Sequence, residues 1–239
     1  MQTETNVCAG RRLAIIPARG GSKRIPRKNI RDFRGKPIIA WSLDAALTSE
    51  LFDEVLVSTD SPQIASVARE FGAAVPFLRS AESSDDYATT ADVILEVLRC
   101  YEQEGQCFDE VCCLYPTAPF VTAASLQKGL SLLRKSKFDA VFPVVRYDYP
   151  IWRSLKVTEN GKVALNFPEN LNVRSQDLPP AYHDAGQWYW LKTASFLRDG
   201  IVFGDNTGSI QLPASQVQDI DTEEDWATAE MKHAMLDLR

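Results

Sequence analysis

Short apolar runs alternate with stretches of helical period along most of this sequence, and that alternation limits the fold more than any other feature. Leu13 to Ile16, Glu54 to Ser58, Glu110 to Tyr115 and Phe138 to Val145 read as strands, with Ala74 to Leu78 as a shorter one. Between them, Lys36-Pro37 opens a helical pattern carrying Ile38, Ile39, Leu43, Ala46 and Leu47 on one side, with Pro37 in its first turn. Ser61-Pro62 starts a second helix through Ile64, Val67, Ala68 and Phe71, which Gly72 closes. A third runs from Thr90 to about Gln103 and a fourth from Thr122 to Lys135. Glu110 to Tyr115 is apolar without interruption, as expected of a central strand covered on both faces. The alternation predicts an α/β fold of three layers, α/β/α, around a mostly parallel sheet. Ligands of such sheets sit beyond the carboxyl ends of the strands, here Pro17-Ala-Arg-Gly, Ser58-Thr-Asp60 and Tyr115-Pro-Thr117.

The first of those ends is unusual. Pro17 stops the strand, Gly20-Gly21 follows, and Arg19, Lys23, Arg24, Arg27, Lys28, Arg31, Arg34 and Lys36 are opposed only by Asp32. The whole chain is acidic, with 26 Lys+Arg against 32 Asp+Glu, so this run is a local concentration of charge. A solvated basic loop is the plain reading of such a run. The glycine pair directly after a strand favours another, because backbone N–H groups can then approach an anion closely and the cations can neutralise a polyphosphate.

At 239 residues the chain has the length of a single large domain or of one domain with an insertion. No apolar run approaches the ~20 residues that span a bilayer. Met1 to Arg12 is polar, without a signal-peptide core, and reads as a frayed tail on a cytoplasmic protein. Cys8, Cys100, Cys107, Cys112 and Cys113 have no framework spacing and read as free thiols, with Cys112 and Cys113 pointing to opposite faces of a strand. With no C-x-x-C pair and with His183 and His233 far apart, a zinc site is not expected. The acidic balance, with a pI near 5.1, argues against a nucleic-acid surface and leaves a small anionic ligand as the partner of the basic patch.

The alternation breaks between Arg146 and His183. Trp152 to Lys156 and Lys162 to Leu165 form a predicted hairpin about Asn160-Gly161, and Phe167 to Pro180 has no helical period. An antiparallel arm of this kind, residues 146–183, is expected to act as a lid or a dimer contact. Asp184 to Lys192 returns as an aromatic strand, with Trp188 to Trp190 read as core or interface packing and Gln187 and Tyr189 facing away from Trp188. Thr193 to Arg198 reads as a short helix and Ser209 to Leu212 as a strand, and Thr222 with Asp225 makes a capping box for the last helix.

There is no G-x-x-x-x-G-K-[ST] and no G-x-G-x-x-G, which excludes the P-loop and dinucleotide geometries. Ile16-Pro-Ala-Arg-Gly-Gly-Ser-Lys-Arg-Ile-Pro-Arg-Lys-Asn29, Val57-Ser-Thr-Asp60 and Asp219-Ile-Asp221 instead resemble the sugar-acid cytidylyltransferases, the CMP-sialic acid synthetase group, over nearly the full length. Within that group, Cys112-Cys-Leu-Tyr-Pro-Thr-Ala-Pro119 and Tyr182-His-Asp-Ala-Gly-Gln-Trp-Tyr-Trp190 are most similar to the branch acting on pseudaminic acid. Tyr115 and Val121 stand where synthetases of the common sialic acid typically carry Gln and Arg, which makes plain N-acetylneuraminate the less expected substrate.

The resemblance implies a nucleotide-diphospho-sugar transferase type of fold, a homodimer in which the arm crosses to its partner, and a reaction. CTP and a nine-carbon 2-keto sugar acid give the CMP-sugar and pyrophosphate. It implies that Arg19, Lys23, Lys28 and Asn29, with the Ala18 to Gly21 backbone (Gly20 and Gly21 amides), hold the triphosphate, Arg19, Lys28 and Asp221 acting in catalysis, and that Arg24 and Arg27 matter less. Arg79 with Ala88, Thr89 and Thr90 would form the cytosine pocket, although Thr90 also reads as a helix N-cap. Asp219 and Asp221 alternate along an extended segment and suit Mg2+, although Asp221 also stands where a helix N-terminus favours an acid. Tyr115, His183, Asp184, Gln187 and Tyr189 are the sugar-side candidates. No general base is assigned. Transfer to another sialic-type acid, legionaminic or N-acetylneuraminic, and a nucleotide-binding protein without catalysis remain as alternatives.

Overall fold

The computed structural model describes residues 10–236, so Cys8 and most of the N-terminal tail lie outside the described residues. In chain order the strands are β1 (Arg12–Pro17), β2 (Asp32–Phe33), β3 (Lys36–Pro37), β4 (Glu54–Ser58), β5 (Glu110–Leu114), β6 (Ala140–Arg146), β7 (Leu155–Val157), β8 (Val163–Leu165), β9 (Tyr182–Asp184), β10 (Trp188–Lys192) and β11 (Thr207–Leu212). The α-helices are α1 (Ile38–Thr48), α2 (Pro62–Glu70), α3 (Thr90–Gln103), α4 (Ala123–Lys135), α5 (Thr193–Asp199) and α6 (Glu223–Leu236). The main sheet runs β11-β6-β10-β5-β1-β4, with β9 also on β6. β1 pairs in parallel with β4 and β5, and β11 with β6, while β10 and β9 are antiparallel to their neighbours.

Every residue of β5 is buried, and its alternation divides the core. Cys112 and Leu114 join Trp188, Trp190, Ile39, Leu43, Ala65 and Leu126 under α1, α2 and α4. Val111 and Cys113 join Tyr189, Ile94, Val97 and Phe196 under α3 and α5. The layers are therefore α/β/α, and the two adjacent cysteines do point to opposite faces. Gly129 lets α4 approach β10, since a Cβ there would come within 2.5 Å of the Trp188 ring.

Several boundaries differ from the sequence reading. Helix α1 begins at Ile38, with Pro37 as its N-cap residue in extended conformation. The expected strand Ala74 to Leu78 is reduced to one bridge, Leu56 to Ala74, because Pro76 has no N–H to extend a ladder. The aromatic strand is split into β9 and β10. Opposite the split stands Pro143 of β6, which cannot donate; Ala185 N–H still donates to its carbonyl at 3.0 Å, while Gly186 takes φ 62° and the register shifts. In the arm, Ile151–Arg153 is a single 3-10 turn, and the hairpin proper is β7 and β8. Cys100, Cys112 and Cys113 are free thiols, but Cys107 is disulfide-bonded, which corrects the expectation of free thiols throughout.

A third, smaller core sets up the site. Ile25 from the basic stretch, Phe33, Ile38, Phe120, Ile220, Trp226 and Ala229 pack together. Ile25 and Ile220 are almost wholly buried, and burying one such side chain contributes about 1.5–3 kcal/mol. Their neighbours in sequence are Arg24 on one side and Asp219 and Asp221 on the other, so this packing brings the late acidic pair up to the basic stretch.

Candidate active site

Seven of the eight cations of the basic stretch divide into two sets. Arg31 lies over the Trp226 ring at 4.6 Å and donates to Glu223 at 2.6 and 2.8 Å, Arg34 meets His233 at 3.0 Å, and Lys36 pairs with Asp44 and stands 3.8 Å from the Trp41 ring. These three fasten the stretch to α6 and α1. Arg19, Lys23, Arg24 and Lys28 instead line a cleft of about 440 Å3, together with Pro17, Ser22, Asn29, Arg79, Ala88, Thr89, Thr90, Val93 and the segment Tyr115 to Thr117. That volume is within the ~300–1,000 Å3 range of small-molecule sites. The cleft opens beyond the carboxyl ends of β1 and β5, where the sequence pattern places a ligand.

Within the cradle, Asn29 is buried and donates from Nδ2 to the Arg19 carbonyl at 2.9 Å, tying its two ends together. Arg27 adopts the left-handed conformation, φ 56°, and leads into the short turn Lys28–Ile30. The Gly20 N–H donates to Asp60 Oδ1 at 2.7 Å, and a Cβ at Gly20 would stand 3.1 Å from Ser61 Cβ. The Gly20 amide is thus engaged by Asp60, at the carboxyl end of β4. Gly20 and Gly21 are exposed and Ala18 is buried, and none of the three lines the cleft.

Two carboxylates meet the four lining cations. Arg19 Nη1 donates to Asp86 Oδ1 at 3.0 Å and to the Asp85 carbonyl at 2.8 Å, and Lys23 Nζ pairs with Asp86 Oδ2. Arg24 Nη2 lies 2.9 Å and Lys28 Nζ 3.4 Å from Asp221 Oδ1, and Lys28 also donates to the Ile220 carbonyl at 2.6 Å. Lys23 and, less so, Arg19 hold the Asp86 carboxyl below the usual carboxylate range. Asp219 moves the other way. Although part of the residue reaches solvent, desolvation and then the charge of Asp221 push its carboxyl upward.

Arg79 is buried and donates to Ser58 Oγ at 3.0 Å and to the Ser58 carbonyl at 2.5 Å, and burial lowers its pKa from the ordinary arginine value. It fastens the cleft wall to the end of β4. Thr89, not Thr90, caps α3: its hydroxyl accepts from Asp92 N–H at 3.2 Å in a capping box. The Thr90 hydroxyl is then left to meet Tyr115 Oη at 3.0 Å.

Tyr115 leads to the second half of the site. An adjoining cleft of about 470 Å3 shares Thr89, Thr90 and Tyr115 with the first and adds Asp184, Tyr189 and the segment Gly200 to Phe203. The Tyr115 and Tyr189 rings are tilted together with centroids 5.4 Å apart, and Tyr189 donates to Asp184 Oδ2 at 2.5 Å. Burial raises both phenols above the usual tyrosine value, for Tyr189 with the nearby Tyr115 and Asp184 adding to it. Both therefore stay protonated donors. His183 faces outward with its ring 4.7 Å from Tyr147, and Gln187 is buried, donating to the Gln216 carbonyl at 2.6 Å. Neither of these two lines either cleft.

The family model of the Cytidylyltransferase matches residues 13–199. The chain belongs to the cytidylyltransferase family. It is accordingly a nucleotidyltransferase. A pseudaminic acid cytidylyltransferase of Campylobacter jejuni is 41% identical over 213 residues, 89% of this chain and 92% of the relative. A CMP-N,N'-diacetyllegionaminic acid synthase of Legionella pneumophila is 33% identical over 91% of this chain and 94% of its own length. Among solved structures, a CMP:2-keto-3-deoxy-manno-octonic acid synthetase complexed with CTP superposes with a TM-score of 0.67 over 96% of this chain and 100% of that one. At 17% identity that likeness speaks to the fold alone.

The sequence reading missed Asp85 and Asp86, Ser22 and Val93 as neighbours of the cradle, whereas Thr117 lines it as the end of β5 predicted. An acidic pair in a polar loop is ordinary in sequence, and Asp86 meets cations more than sixty positions earlier (63 from Lys23). Only the fold brings them together.

Proposed function

We propose that this nucleotidyltransferase transfers CMP from CTP to the anomeric hydroxyl of pseudaminic acid, giving CMP-pseudaminic acid and pyrophosphate. The observation that carries the reading is the arrangement of Arg19, Lys23, Arg24 and Lys28 around one cleft, in a chain 41% identical to a pseudaminic acid cytidylyltransferase across nearly the length of both. The four cations neutralise the triphosphate and hold its α-phosphorus in line between incoming and outgoing oxygens, and positioning of this kind supplies most of the catalysis in phosphoryl transfer. The acceptor oxygen forms the new bond to the α-phosphorus as the bond to pyrophosphate breaks, and the hydroxyl proton leaves to solvent.

Thr89, Thr90 and Ala88 contact the base in this reading, while Arg79 holds that wall in place. Tyr115, Tyr189 and Asp184 face the sugar acid, whereas His183 and Gln187 serve the support of β9 and β10. Asp219 and Asp221 fit a hard divalent ion by their chemistry, two carboxylates flanking the buried Ile220 beside the cradle. Mg2+ held there would neutralise phosphate charge. Among the described residues there is no group of three or more His, Cys, Asp or Glu for a metal, so substrate oxygens would complete its shell.

Residues 146–183 form, in the same reading, an inserted arm that contacts a second copy of the chain. Leu155, Val157, Val163 and Leu171 are large apolar side chains left exposed on it, a cost a homodimer would remove. Sedimentation at micromolar concentration should give a dimer, and a monomer would contradict this part. No helix among the described residues is long and apolar enough to cross a membrane, and a cytoplasmic setting, where CTP is available, completes the proposal.

Pyrophosphate release from CTP, with Mg2+ and a panel of sugar acids, tests the substrate. Pseudaminic acid should turn over fastest. Faster turnover of legionaminic or N-acetylneuraminic acid would replace the assignment.

A further inference from the structure

A carboxylate of the chain itself faces each half of the cradle. Asp221 faces Arg24 and Lys28, and it comes from the segment fixed by the buried Ile220. Asp86 faces Arg19 and Lys23, and it comes from the loop between Arg79 and Thr89. The ends of that loop are secured, at Arg79 by Ser58 and Thr59 and at Thr89 by the α3 capping box. Just before Asp86, Asp85 Oδ1 accepts from the Tyr87 and Ala88 N–H groups at 2.8 and 2.7 Å. The Tyr87 side chain at its tip is 90% exposed, so no apolar packing holds the middle of the loop down. Asp86 is itself nearly half exposed, and the interactions its carboxylate makes are the two ion pairs.

Exposed ion pairs of this sort are individually weak, while a polyphosphate brings more charge to the same two cations. Because Arg19 and Lys23 cannot serve both anions fully, binding has to displace Asp86, and the apparent affinity falls by the fraction of molecules in which the carboxylate holds them. We propose that Asp86 is a displaceable counter-ion: it occupies the phosphate-binding faces of Arg19 and Lys23, yields them to the triphosphate, and takes them back as pyrophosphate leaves. This rests on the cradle being the CTP site. It makes Asp86 a determinant of selectivity for anions of high charge and of product release, with no part in the bond-making step.

Titration of inorganic pyrophosphate and of CTP into the intact protein, followed by calorimetry, tests it. Asp86→Asn and Asp86→Ser should each bind pyrophosphate about three- to tenfold more tightly than wild type, an advantage that shrinks as salt screens the cradle. In turnover, both should show a lower KM for CTP and stronger product inhibition by pyrophosphate. Glu82→Gln, which removes an acid from the same loop away from the cleft, should leave pyrophosphate affinity within about twofold. Pyrophosphate affinity unchanged or weakened in both Asp86 variants overturns the role of Asp86 while leaving the CTP site standing. Wild-type protein that binds neither CTP nor pyrophosphate removes the reading beneath it as well.

Discussion

The two halves of the cleft are built by different means. On the side we propose for the nucleotide, four cations lie on an irregular stretch and pair with carboxylates that are themselves partly exposed. On the side we propose for the acceptor, Tyr115 follows β5, Tyr189 belongs to β10, and their hydroxyls are hydrogen-bonded to Thr90 and Asp184. Ion pairs near solvent exchange partners at little cost, whereas buried phenols whose partners are removed leave unpaired groups behind. The nucleotide half can thus rearrange around a highly charged substrate without loss of fold. The acceptor half, in the proposed function, is held by the bonds of Tyr115 to Thr90 and of Tyr189 to Asp184, an arrangement suited to telling related sugars apart.

The comparison predicts that substitutions in the cradle act on turnover and substitutions behind the acceptor side act on stability. Arg19→Ala should give the largest effect: kcat/KM for CTP falls about a hundredfold or more, while the thermal midpoint moves by no more than about 2 °C. Steady-state kinetics beside a melting curve checks both, and a large loss of midpoint would show that the cradle is a structural element after all. Gly129→Ala is the opposite case. The new methyl group runs into Trp188 and Trp190, and overpacking of this kind costs about 1–3 kcal/mol, so chemical denaturation should register it with kcat/KM kept near wild type. Tyr189→Phe should be the mildest. It removes the donor to Asp184, costing about 1 kcal/mol of stability, and it should raise KM for the sugar acid while leaving KM for CTP unchanged. Equal changes in both KM values would dissolve the distinction between the two halves.

The layers and most elements are legible in the sequence because local periodicity and burial agree: α3 and β4 occupy the residues their patterns mark. What escapes is non-local. Pro143 lies on β6, yet its missing N–H splits the aromatic strand more than forty residues later. Thr89 and Thr90 are equally good caps by type, and only the position of Asp92 and of Tyr115 decides between them. The division of the basic stretch into fastening and lining cations depends on Trp226, Glu223 and His233, all on α6. Gly20 gave a correct sense of close approach, but the anion that its amide meets is Asp60. The family motif indicated the region of the site, whereas the partner of each charge became visible only with the fold.

Asp221 stands at the centre of this account, since it faces two cations of the cradle and belongs to the carboxylate pair we propose for Mg2+. Formation of CMP-pseudaminic acid by Asp221→Asn and by wild type, at saturating CTP, acid and Mg2+, is the most direct test. The account predicts a loss in kcat of about a hundredfold or more with the melting temperature retained. A variant that folds and turns over at a rate near wild type would contradict it.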